Sequence, residues 1–218
     1  MIRIDNVSLT RNKKKILTNI SLEMECGKIY GLVGNNGSGK TMLMKCICGF
    51  IHPDTGTITA FGKNIGKDVD YIPHTGIIIE TPGFIPFYSG LQNLKVLAGI
   101  QNIITIEQVK KSMQQVGLDP DNKLPVKKYS LGMRQRLGLA QAIMEDPSIL
   151  ILDEPTNSLD KHGIKEIHSL LLSLKKRNKL ILIASHNNED IHALCDEIYE
   201  MENGQIEFHS QKGTNYNI

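Results

Sequence analysis

Apolar positions along the first third of the chain alternate, or run together in short blocks, between turn signals. Arg3–Leu9, Ser21–Met24 and Lys28–Val33 read as strands by this pattern. Thr41–Gly49 has helical spacing and is closed by Gly49, with Pro53 soon after. Thr57–Phe61 and Gly76–Ile79 follow as further strands. The texture changes at Thr81, where TPGFIPFYSG holds two prolines and two glycines, and helical spacing runs on to Gln141. Residues 83–140 are therefore expected to form a helical lobe inside a single domain spanning 1–218. Strand character returns at Ile149–Leu152 and Leu180–Ala184. Between them Ile164, Ile167, Leu170, Leu171 and Leu174 share one helical face. EIYEMENGQIEFHS reads as a hairpin turning on Asn203-Gly204. Strands alternating with helices predict an α/β fold with a largely parallel sheet covered on both faces.

Composition narrows the picture little. Hydrophobic content of 40% and charged content of 22% in 218 residues suit an ordinary globular chain with one good core. A formal net charge of +2 argues against a nucleic-acid surface, and the basic run Arg11–Lys15 reads as a solvated turn. No apolar run reaches the ~18 residues that span a bilayer, and no signal peptide is expected. Any membrane work would need a second, spanning chain. Cys26, Cys46, Cys48 and Cys195 lack metal-ligand spacing and read as reduced, mostly buried thiols.

The chemistry concentrates in three places. Gly34-Asn35-Asn36-Gly37-Ser38-Gly39-Lys40-Thr41 matches GxxxxGK[ST], and it sits between a strand and a helix, as a phosphate-binding loop must. Glycines let backbone N–H groups point inward at phosphate oxygens, Lys40 adds a mobile positive charge, and the Thr41 hydroxyl suits Mg²⁺. In ILILDEPTNSLD a buried strand delivers Asp153, suited to orient Mg²⁺, and Glu154, suited to polarise an attacking water. His186 follows the buried run LILIAS and reaches the same sheet edge, where an imidazole can bond a γ-phosphate or the attacking water. The third place is YSLGMRQR, which opens a helix with Ser130 and Gly132, whose bare N–H groups make a second anion site.

This ordered set resembles the nucleotide-binding subunit of an ATP-binding cassette (ABC) transporter. GNNGSGKT is similar to the Walker A loop, ILILDEP to the Walker B strand, NSLD to the D-loop, ASH to the switch-histidine segment and YSLGMRQR to the signature motif. The resemblance implies a P-loop fold with a RecA-like core, N-terminal antiparallel strands and an inserted helical lobe. It implies ATP and Mg²⁺ as ligands, a transmembrane permease subunit as partner, and a second nucleotide-binding subunit, identical or related, packed head to tail. The expected place of work is then the cytoplasmic face of the membrane. It implies that Asn35, Asn36, Gly37, Ser38, Gly39, Lys40 and Thr41 hold one ATP, while Ser130, Gly132 and Asp160 meet the ATP held by the other subunit. Glu154 and His186 are the expected catalytic pair, with Thr41, Glu80 and Asp153 around the metal.

Three departures from the family pattern stand out. The signature has Leu131 and Met133 where the family usually has Gly and Gln. Glu80 ends GIIIE where a glutamine normally touches Mg²⁺, and a carboxylate binds that ion more strongly. With YSLGMRQRLG, this Glu resembles bacterial ATPases that export antibiotic peptides, lantibiotic self-immunity transporters among them. LTRNKKKIL lacks the aromatic that usually stacks on adenine, leaving Arg11 or a loosely held base. Phe84, Phe87 and Tyr88 read either as a docking loop for the permease or as packing for the lobe. Two other functions stay open: a soluble cassette ATPase acting on ribosomes or DNA, and a regulatory module that holds ATP without hydrolysing it.

Overall fold

The computed structural model describes residues 1–80 and 82–211. Thr81, where the texture of the sequence changes, lies outside the described residues. Two sheets share the chain. The smaller is antiparallel, in the order β2-β1-β4-β5, from β1 (Ile2–Arg11), β2 (Lys14–Met24), β4 (Thr55–Ala60) and β5 (Lys63–Asn64). The larger is built on β3 (Ile29–Val33), β6 (Thr75–Ile78), β7 (Ile149–Asp153), β8 (Leu180–Ala184), β9 (Glu197–Glu202) and β10 (Gln205–Gln211). Its order is β10-β9-β3-β8-β7-β6, with every neighbouring pair parallel except the β9–β10 hairpin. That hairpin turns on Asn203 and Gly204, both at positive φ, as the Asn-Gly pair demands.

The central strands are apolar without a break because the sheet is covered on both sides. Ile149 and Ile151 of β7 pack into a core shared with the antiparallel sheet and helix α1 (Lys40–Cys48). Leu150 and Leu152 face the opposite core. Each fully buried Leu or Ile contributes about 1.5–3 kcal/mol, so the alternation fixes which residues reach the C-terminal edge. Cys46 and Cys48 point into the first core, and burial pushes their thiols to about 11 and about 12, which leaves them unreactive near neutrality.

The second core packs under the helices α2 (Gly90–Gln101), α3 (Ile106–Gln115) and α4 (Leu131–Ile143), together with α5 (Lys161–Lys176) and α6 (Asn188–Leu194). Ser89 and Thr105 start α2 and α3 with full capping boxes, each Gln at N3 reaching back to its cap. Arg136 of α4 ties the end of α3 to α5. Its guanidinium donates to the Val116 carbonyl after α3 and pairs with Glu166 of α5 at 2.7 Å.

Several element ends differ from the pattern reading. Strand β6 stops at Ile78, and Glu80 follows in the left-handed region with φ 63. Helix α4 starts at Leu131, with the Ser130 hydroxyl capping it by accepting from the Met133 N–H at 3.1 Å. Cys26 is only partly buried, unlike the other three thiols.

Candidate functional site: a phosphate cradle and two strand-end carboxylates

Strand β3 delivers the chain into a loop that only glycine can begin. Gly34 sits at φ 142, and a Cβ there would come within 2.1 Å of the Met201 carbonyl. The loop closes onto α1, whose N-terminus adds roughly half a positive charge. Lys40 donates from Nζ to the carbonyls of Gly34 and Asn35, at 2.6 and 3.1 Å. Its ammonium therefore lies within the curl of the loop. The hydroxyl of Ser38 is buried and has no hydrogen-bond partner among the described residues.

Thr41 is the next residue on α1, and its hydroxyl donates to Asp153 Oδ2 at 2.8 Å. A hydroxyl beside a carboxylate is the oxygen donor set that suits a hard divalent cation. Burial pushes the Asp153 carboxyl above its ordinary value, and neighbouring Glu154 and Glu80 add to the rise. The Thr41 hydrogen bond and the Lys40 charge oppose it. Among the described residues no group of three or more His, Cys, Asp or Glu converges on one point. A cation at Thr41 and Asp153 would draw its remaining ligands from phosphate and water, the usual mode for Mg²⁺.

Glu154 turns away from the strand at φ 50. Its N–H donates to the Ala184 carbonyl of β8 at 2.8 Å, which pins the turn to the neighbouring strand. Its Oε1 accepts from the His186 N–H at 3.0 Å and lies 2.7 Å from His186 Nδ1. Strands β7 and β8 pair side by side and thus bring Glu154 and His186, both expected at this sheet edge, into contact. Glu80 is placed differently. Its carboxylate pairs with Lys45 of α1 at 2.6 Å, and the side chain is 66% exposed.

Ser130 and Gly132 open α4 on an exposed face, and Leu131 between them is 69% exposed. Among the described residues, no hydrogen bond or ion pair joins them to residues 34–41. Asp160 caps α5 by accepting from the Gly163 N–H at 2.8 Å. Arg11 is engaged locally, on the carbonyls of Thr10 and His52 and the carboxylate of Asp54. The aromatic trio divides: Phe84 packs on the second core, while Phe87 and Tyr88 stay exposed, with Lys127 Nζ 4.4 Å from the Phe87 ring centre. An open groove of about 810 Å³ runs beside edge strand β6, lined by Phe50, Tyr71, Ile100 and Ile103 among others.

Sequence reasoning missed three participants. Gln135 of α4 donates from Nε2 to the Glu154 carbonyl at 3.0 Å. Asp190 of α6 is almost fully buried, accepts from the Thr156 hydroxyl and bonds His168 Nε2 at 2.8 Å. Lys45 holds Glu80. Gln135 stands in plain view inside MRQR, but helical spacing alone does not say what an amide faces.

A cradle of this kind at the C-terminal edge of a parallel sheet, with carboxylates at the end of β7, two strands over, defines a P-loop nucleoside triphosphatase. The family described as ABC transporter matches residues 17–157. An uncharacterized ABC transporter ATP-binding protein of Bacillus subtilis is 45% identical over 207 residues, covering 95% of each chain. A bacitracin transport ATP-binding protein of Enterococcus faecalis is 39% identical over 94% of this chain and 68% of its own length. A lantibiotic transport ATP-binding protein of Streptococcus pyogenes is 36% identical, over 94% of this chain and 89% of its own. A solved dimeric bacterial ABC transporter cassette shares the fold, with a TM-score of 0.88 at 19% identity over 97% of this chain and 99% of that one. The chain belongs to the ABC transporter family. It is an ATP-binding subunit and an ATPase of that family.

Proposed function

We propose that this ATPase is the motor subunit of a bacterial exporter of antibiotic peptides or drugs, and that it works as a head-to-tail pair on the cytoplasmic face of a membrane. The observation that carries the catalytic part is the Glu154–His186 contact at 2.7 Å, one residue along from the Thr41–Asp153 pair. The cargo class rests on the printed names of the bacitracin and lantibiotic relatives.

In this reading the N–H groups of residues 35–41 surround the β- and γ-phosphates, and Lys40 exchanges its loop carbonyls for phosphate oxygens. Thr41 and Asp153 would hold Mg²⁺, with Glu80 beside them, and the bound ion would supply neutralising charge to the phosphates. Glu154 takes up the proton of the attacking water. His186 holds the Glu154 carboxylate in place and faces the γ-phosphate. Ser130, Gly132 and Asp160 of a second copy, or of a related chain, close over the nucleotide. Ser130 and Gly132 make no hydrogen bond to residues 34–41 of their own chain among the described residues, which supports a ligand carried by another subunit. ATP between the two subunits favours closure, and hydrolysis reverses it.

The groove lined by Phe50, Tyr71, Ile100 and Ile103 is the surface we assign to the transmembrane permease. It offers a concave surface of mixed polar and apolar character that includes Ile79, the residue before Glu80, whereas Phe84 is spent on packing. The single domain 1–218 then has residues 83–140 as the lobe that carries both this groove wall and the signature helix.

The test is Glu154→Gln in the purified chain. Turnover should fall by roughly two orders of magnitude or more, at unchanged ATP affinity. Equal turnover in the variant and the parent protein contradicts the assignment.

A further inference from the structure

We infer that Gln135 is a positioning residue that couples the signature end of α4 to the catalytic carboxylate of its own subunit, so that the nucleotide in one site sets the geometry of the acid in the other. The inference rests on the head-to-tail reading above.

The turn 154–158 holds Glu154 in the left-handed region, which a non-glycine residue keeps only when its surroundings enforce it. One side of that turn is anchored. Thr156 donates to Asp190, which is 2% exposed and also bound to His168, so α5 and α6 hold the turn from behind. The other side belongs to α4. Gln135 Nε2 donates to the Glu154 carbonyl at 3.0 Å, sharing that oxygen with the Asn157 N–H at 3.2 Å. One turn earlier, the helix lies directly on the far end of the same loop, where a Cβ on Gly132 would meet the Ser158 carbonyl at 2.9 Å.

Helix α4 therefore touches the catalytic turn twice, at residues 154 and 158, and presents Ser130 at its tip. A helix moves as a rigid element in a close-packed setting. An anion drawn to the Ser130 end from a second subunit shifts α4, and the shift reaches the Glu154 peptide through Gln135. The anchor at Asp190 keeps the rest of the turn from following, so the displacement falls on the φ and ψ of Glu154 and on the aim of its carboxylate. Two such links, one per subunit, make the two sites respond to each other.

The test compares the full chain with Gln135→Met, which keeps length but cannot donate, and Gln135→Lys, which keeps a donor. Binding of trinitrophenyl-ATP, the thermal midpoint, kcat and the Hill coefficient for ATP are measured on each. We expect Gln135→Met to keep nucleotide affinity and thermal midpoint. Its kcat should fall about fivefold, the scale of one lost hydrogen bond, and its Hill coefficient should drop from above one to about 1. Gln135→Lys should recover most of the lost kcat. Parent-like kcat and Hill coefficient in Gln135→Met would overturn the inference while leaving the ATPase reading intact. Joint loss of affinity and thermal midpoint would overturn it by reducing Gln135 to packing. A Hill coefficient of about 1 in the parent protein would overturn it through the two-site premise.

Discussion

His186 Nδ1 lies 2.7 Å from Glu154 Oε1, and the His186 N–H donates to the same oxygen at 3.0 Å. One carboxylate oxygen is thus held by the ring and the backbone of a single residue, leaving the other to face Ser185 at 3.4 Å and any incoming water. Replacing His186 with Ala removes the ring contact and keeps the backbone one. Turnover should fall about 10²-fold at near-constant ATP affinity. Steady-state kinetics together with nucleotide titration check this, and a parallel loss of affinity would place the histidine in binding.

Asp153 sits where burial disfavours its charge, with Glu154 and Glu80 nearby. Its carboxyl in the folded chain lies above the ordinary aspartate value, so the folded chain binds the proton more tightly than the unfolded one. The nucleotide-free protein therefore loses stability as pH rises from the unfolded value through the folded one. Asp153→Asn removes that penalty. The thermal midpoint without nucleotide should rise by ~1–3 °C at neutral pH. The gain should shrink below that window, where the acid is already neutral. The same variant should lose the dependence of ATP affinity on Mg²⁺. A lower midpoint at neutral pH would mean that the Thr41 bond outweighs burial.

Glu80 and Lys45 form an ion pair at 2.6 Å, but the glutamate is mostly in solvent. Exposed pairs contribute little, so Glu80→Gln should change unfolding free energy by less than ~1 kcal/mol. Its effect belongs to the metal: the Mg²⁺ concentration for half-maximal ATPase should rise several-fold, because an amide binds the ion more weakly. Chemical denaturation and a Mg²⁺ titration separate the two effects.

Arg11 is occupied by Asp54 and two backbone carbonyls, and LTRNKKKIL supplies no aromatic ring for a base. ATP and GTP should then be hydrolysed with kcat/KM values within about tenfold, the range left when stacking does not discriminate. A larger preference for ATP would require a base contact elsewhere.

Phe87 and Tyr71 are both exposed, at 72% and 62%, but only Tyr71 lines the groove beside β6. Tyr71→Asp should leave the ATPase of the isolated chain within about twofold, as surface changes do, and should abolish co-purification with the transmembrane partner proposed for this groove. Phe87→Ala should also spare the ATPase. Loss of ATPase in Tyr71→Asp would assign the ring to packing.

Much of this site is legible from residues alone because the strands that carry it are apolar without interruption. ILILD and LILIAS both end at one sheet edge, so Glu154 and His186, each the next residue along, reach that edge; that they touch follows from β7 and β8 pairing side by side. GNNGSGKT needs no tertiary information, since its glycines and lysine act through the local backbone. The setting of Glu80 is not legible in this way. The unbroken apolar run in GIIIE says nothing about where the ladder to β7 stops, and Lys45, distant in sequence, captures the side chain. The splitting of Phe84 from Phe87 and Tyr88 obeys the same logic, because which aromatic turns inward depends on a core assembled from α2, α3 and α4. Gln135 and Asp190 are invisible for a simpler reason. Each acts on the backbone or hydroxyl of one loop reached only after the chain has folded, and a polar residue in a helix carries no periodic signal of its partner.

The most direct test of nucleotide-driven pairing is the assembly state of Glu154→Gln at saturating Mg·ATP, read by size-exclusion chromatography with light scattering. Head-to-tail closure over ATP predicts a stable pair with ATP and a single chain with ADP or none. A protein that stays a single chain at every nucleotide concentration contradicts it.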